Sequence, residues 1–204
     1  MNAVVDADLL HLITSWLPYQ RWFAGKGRDI AAVDVESSSV LLDDGADDVH
    51  VRHIVVRVDD ADGGSDRYQL LLGTRTGDVP QRLQHAVIGA ADGWAVYDAV
   101  HDEEATAALL TRMVNRDDLD TMRFGLLSED VHADQRSRVL GGEQSNTSIV
   151  YGDDYILKSS GGCSRGSTRT SRSPGHWRMQ AVRTSRRRWP GWTAMSTVTR
   201  RRWA

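Results

Sequence analysis

Acidic residues stop at Asp154, and the composition breaks so sharply around Lys158 that any core has to be built from what comes before. Residues 159–204 hold 11 Arg and no Lys, Asp or Glu, and although four of the seven Trp lie there, the stretch has no Leu, Ile, Phe or Tyr. Leu and Ile supply most of the apolar area a core removes from water, so this tail does not read as a second folded domain and is expected to be disordered. The first 158 residues carry 14 basic against 28 acidic groups, a charge of −14 hidden inside the overall −3. That body is long enough for a sizeable core without disulfides, and with Cys163 as the single cysteine neither a disulfide framework nor a multi-cysteine metal site is available. No apolar run reaches the length of a membrane span, and MNAVVDADLLHLITSWLPY has acids where a secretory leader carries basic residues, so a soluble cytoplasmic protein without a membrane partner is expected.

Within the body, Asp6 can cap a helix whose Leu9, Leu10, Leu12, Ile13, Trp16 and Leu17 recur at helical spacing, with Pro18 ending it. Three segments, IAAVDVESSSVLL, VHVRHIVVRV and RYQLLLGTR, are rich in β-branched and apolar residues and are separated by DDGADD and DDADGGSD, which favour turns. They predict an antiparallel meander. WAVYDAV adds a strand, Asp102 caps a second helix carrying Ala105, Ala108, Leu109 and Met113, and TMRFGLL returns as a strand. The fold class is therefore α+β over roughly residues 1–130. From about residue 137, RVLGGEQSNTSIVYGDDYILK reads as strand, polar loop, strand, tight turn and strand, with Gly152, Asp153 and Asp154 making the hairpin and Lys158 closing the third strand.

Most candidate sites have a simpler structural reading. GKGR at Gly25 to Arg28 lacks the GxxxxGK[ST] pattern of a phosphate loop, so Trp22 and Phe23 are expected to anchor the loop while Lys26 and Arg28 are solvated. The Asp clusters at 43–48 and 59–66 fail as calcium loops, because counting from Asp60 puts Leu71 where a bidentate Glu is needed, and they read as solvated turns. His50 and His53 point to opposite faces of one strand, and the other histidines show no ligand spacing. Nucleophilic acyl chemistry has no Gly-x-Ser-x-Gly elbow to support it. The strand pair ending at Lys158 is more informative, since kinases cover ATP phosphates with a loop between the first two strands and pair them with a lysine on the third. On the residues alone, the simpler reading of Lys158 is a solvated strand-end lysine.

Taken together, LPYQRWFAGKGR near the start and GEQSNTSIVYGDDYILK at 142–158 resemble the maltokinase family. The first resembles the amino-terminal cap and the second the start of the kinase-like amino lobe, over residues 1–158 and no further. The resemblance implies a fold similar to aminoglycoside phosphotransferases and, in the intact family, ATP-dependent phosphorylation of maltose to maltose 1-phosphate for α-glucan and glycogen synthesis, with magnesium as cofactor and trehalose synthase as an associated partner. It implies that Gln144, Ser145, Asn146, Thr147 and Ser148 match the phosphate-covering loop and Lys158 the phosphate-pairing lysine. The expected organisation is a cap over 1–137 with an antiparallel sheet and helices, the first strands of a protein-kinase-like amino lobe over 138–158, and the tail over 159–204.

A run of Arg, Ser, Gly and Trp without acids is what a GC-rich gene yields out of frame. Read one base earlier with allowed codons, the tail contains PDLEVARALADAG, a capped amphipathic helix with a terminal Gly, and then the strand-like HVAPPLAGL. The expectation is a frameshift after Lys158, hence a truncated chain that lacks the catalytic-loop Asp and the metal-holding side chains of a kinase and is inactive. The lobe fragment is expected to be unstable, with Ile149 and Ile156 poorly buried for want of later strands and a covering helix. Two other function classes stand beside this one. The Arg-Trp clusters at Arg186 to Trp189 and Arg200 to Trp203 suit RNA or DNA binding, although the acidic body opposes a polyanion; and the cap alone suits an interaction module.

Overall fold

The computed structural model describes residues 7–45, 49–120, 122–126, 131–140, 146–152, 155–160, 162–163 and 177–183. Helix α1 (Ala7–Trp16) passes directly into a 3-10 turn at Leu17–Tyr19. Pro18 sits in the first residues of that turn, where its missing N–H costs no hydrogen bond. The expected cap, Asp6, lies outside the described residues.

The first sheet contains β1 (Ile30–Asp44), β2 (Val49–Asp60), β3 (Ser65–Arg75), β4 (Val87–Ala91) and β5 (Trp94–Asp98) in the order β1-β2-β3-β5-β4. All these pairs are antiparallel, so the predicted meander is present. Strand β4 is an addition to it, reached through a 3-10 turn at Gln81–Ala86 and joined to β5 across Asp92 and Gly93, both at positive φ. After a 3-10 turn at Ala99–His101, α2 (Glu103–Asn115) begins on Asp102, whose carboxylate accepts the Glu104 N–H at 3.1 Å.

The second sheet has the order β6-β11-β9-β8-β7, from β6 (Met122–Leu126), β7 (Ser137–Leu140), β8 (Asn146–Tyr151), β9 (Tyr155–Ser160) and β11 (Trp177–Arg183). Strands β7, β8 and β9 are the expected meander, and Tyr151 pairs with Tyr155 across the predicted hairpin. Most of the tail lies outside the described residues. Within it, β10 (Gly162–Cys163) runs beside β3, and β11 fills the place between β6 and β9, where two backbone edges offer unmade hydrogen bonds.

Two apolar clusters flank the first sheet, and strand periodicity separates them. On one face Ile54, Val56 and Val58 of β2 and Tyr68, Leu70 and Leu72 of β3 pack on Ile13 and Leu17. On the other, Val49, Val51 and Leu71 meet Leu109, Leu110 and Met113 of α2, whose cluster continues into Ile149, Tyr151 and Leu157 of the second sheet. The core thus runs across the expected 137/138 boundary. It also corrects the expectation for Ile149, which is 1% exposed because α2 supplies the covering helix; Ile156 is half-buried.

Candidate functional site

The motif LPYQRWFAGKGR forms the approach to β1, and its aromatic residues are its anchor, as expected. Phe23 is buried against Tyr68, with ring centroids 5.1 Å apart, and Trp22 lies 5.8 Å from both Trp16 and Tyr68. Gly25 is required by this packing, since a Cβ there would come 2.6 Å from the Phe23 ring. Lys26 is exposed. Arg28 is not simply solvated: its guanidinium pairs with Asp60 and, at 3.3 Å, with Asp66, and donates to the Ala24 carbonyl. The second Asp cluster is therefore in part a clamp on the loop, a role for which sequence separations of 32 and 38 leave no local signal.

Of the residues matched to the phosphate-covering loop, Gln144 and Ser145 lie outside the described residues. Asn146 opens β8, Thr147 is half-buried and Ser148 is fully buried. Lys158 lies on β9 with Ser148 as its partner on β8 and Gln180 on β11. The hairpin therefore brings the end of the polar loop and the lysine into register.

A buried polar chain that the sequence did not reveal joins the cap strands to these. The Tyr97 hydroxyl donates to Asp102 at 2.9 Å, the Tyr151 hydroxyl donates to the Thr106 carbonyl at 2.8 Å, and the Thr106 and Ser137 hydroxyls lie 2.6 Å apart. Burial, then the charge of Asp102, raises the Tyr97 phenol above its ordinary range, and burial does the same for Tyr151. Both hydroxyls stay protonated donors.

A cavity of about 30 Å³ is bordered by Trp16, Trp22, His53, Gln69, Asp98 and Thr147, with room for about one or two water molecules. The His53 ring lies 3.3 Å from the Gln69 side-chain oxygen. Burial lowers His53 to about 4, opposed by that contact, and raises Asp98 to about 7, opposed by the Val100 N–H that Asp98 accepts. Among the described residues, no group of three or more His, Cys, Asp or Glu gathers as a metal site.

This cap geometry agrees with the comparison to known families: residues 16–102 match the maltokinase N-terminal cap domain. The chain carries a maltokinase N-terminal cap. The matched stretch runs from the end of α1 to Asp102, the residue that caps α2, and so takes in the anchored loop and the whole antiparallel path β1-β2-β3-β5-β4. Among the described residues, no helix is long and apolar enough to cross a membrane.

Proposed function

We propose that the protein is the cap and the opening strands of a maltokinase amino lobe, whose intact form transfers phosphate from ATP to maltose to give maltose 1-phosphate for α-glucan and glycogen synthesis. The observation that carries this is the family match at residues 16–102, followed in the right order by a three-strand meander that sets Lys158 opposite Ser148. Phosphoryl transfer is mainly positioning and charge stabilisation, so a kinase needs phosphate-facing groups, acids that hold magnesium and an Asp that accepts the substrate proton. The residues matched to phosphate contact are present. No Asp or Glu follows Asp154, so the stretch after the lysine strand supplies neither the metal-holding acids nor the catalytic-loop Asp, and these 204 residues do not form a transfer site. In the separate reading of the cap as an interaction module, trehalose synthase is the partner it would dock on.

The test is ATP-dependent phosphorylation of maltose, measured for the 204-residue product and for the product of a gene with one base restored after codon 158. No turnover is expected from the first and measurable turnover from the second. Activity in the 204-residue product overturns the inactive reading, while a silent restored product sinks the maltokinase assignment.

A further inference from the structure

His85 and His101 are 16 residues apart, and no spacing rule for metal ligands connects them, yet their rings meet at the surface. His85 lies on the 3-10 turn Gln81–Ala86, pinned by Leu83 at 0% exposure and Ala86 at 5%. His101 closes the 3-10 turn Ala99–His101, held between Ala99 at 0% and Asp102 at 2%. Backbone bonds from Leu83 to the Pro80 carbonyl and from Asp102 to the Ala99 carbonyl brace both turns. The two imidazoles are therefore carried on short rigid pieces whose neighbours are buried in the core.

The His85 Nε2 lies 3.3 Å from the His101 Nδ1, with ring centroids 4.7 Å apart and ring planes 82° from parallel. Two imidazole nitrogens on a tetrahedral zinc ion, each about 2.0–2.1 Å from the metal, are separated by about 3.3–3.4 Å. The observed spacing matches that ligand edge. Without a metal, the two nitrogens can share only one proton between them.

We propose that His85 and His101 form a two-histidine site for a divalent transition-metal ion of the zinc, nickel or copper(II) type. Imidazole suits these ions, and copper(II) should bind most tightly. With no third side-chain ligand gathered among the described residues, water fills the remaining positions and the site is open.

The experiment is titration of the untagged full-length chain with Cu²⁺ and with Zn²⁺ alone, followed by calorimetry, and by electron paramagnetic resonance for copper. One ion per chain is expected, with hyperfine structure from two nitrogen ligands. His85→Ala and His101→Ala should each weaken binding by about tenfold or more, whereas His50→Ala, which removes a histidine paired with Asp43, should leave it unchanged. A copper spectrum with fewer than two nitrogens in the unaltered chain overturns the site, whether or not the variants fold. So does equal affinity in the doubly substituted chain.

Discussion

The two clusters on either side of the first sheet are built from different spans of the chain. Among the described residues, the α1 side draws on residues from Leu9 to Ile88, nearly all within the matched cap, while the α2 side gathers residues from Leu41 to Leu157. One face of the cap is therefore closed by the cap itself, and the other is finished by a helix just beyond the matched stretch and by strands β8 and β9. The difference teaches that the cap and the lysine-bearing strands are one packing unit: β8 and β9 are buried because α2 has an apolar side for each sheet, and loss of either sheet would leave the side of α2 that faced it in water.

The largest effect that can break this contrast comes from α2. Leu110→Ala should destabilise the chain by about 2–5 kcal/mol in denaturant unfolding, and hydrogen exchange should show protection falling in both sheets. Ile13→Ala, of similar cost, should lower protection in β2 and β3 but spare β8 and β9; equal loss in both sheets would dissolve the distinction between the two clusters. Next, Asp102→Ala removes the α2 cap and the acceptor of the buried Tyr97 hydroxyl, for an expected loss of about 2–3 kcal/mol. Adding Tyr97→Phe should recover part of that loss, and a strictly additive double variant would show that the hydroxyl is satisfied elsewhere. Gly73→Ala follows at about 1–3 kcal/mol, because its Cβ would overlap the Tyr97 ring on the neighbouring strand.

Proton linkage sharpens the comparison at the cavity. His53 titrates lower when folded, so its contribution is lost as pH falls from about 6.5 to about 4. Asp98 titrates higher when folded, so its contribution is present at low pH and is lost as pH rises from about 3.8 to about 7. The two slopes oppose each other between about pH 4 and 6.5, each on the order of 1 kcal/mol per pH unit for one proton. His53→Gln should therefore make stability fall with rising pH in that window, and Asp98→Asn should make it rise; unchanged profiles would remove these groups from the linkage. The smallest effect is Ser137→Ala, about 1 kcal/mol, read by thermal melting, since it cuts one hydroxyl bond between α2 and β7.

Much of the fold was legible. The three long segments at 30–42, 49–58 and 67–75 lie inside β1, β2 and β3, because β-branched runs bounded by Asp and Gly carry strand and turn information locally. Strand β4 was missed, its VIGAA too short and too poor in large side chains to stand out, although Asp92 and Gly93 before WAVYD are a hairpin signal that could have exposed it. At the candidate site, the order of polar loop, hairpin and Lys158 was visible, and the register of Lys158 with Ser148 follows from it.

The sequence by itself determined the antiparallel meander, the capped start of α2, the aromatic anchor at Trp22 and Phe23 and the cap's family, because each is written in neighbouring residues or in one contiguous motif. Tertiary structure alone decided that Arg28 is held by Asp60 and Asp66, that Tyr151 reaches back to Thr106, that Ile149 is covered, and that His85 meets His101. Those pairings join residues 16 to 45 positions apart or depend on which face of α2 a distant strand finds. Periodicity says that a side chain is turned inward, but only packing says what it meets there.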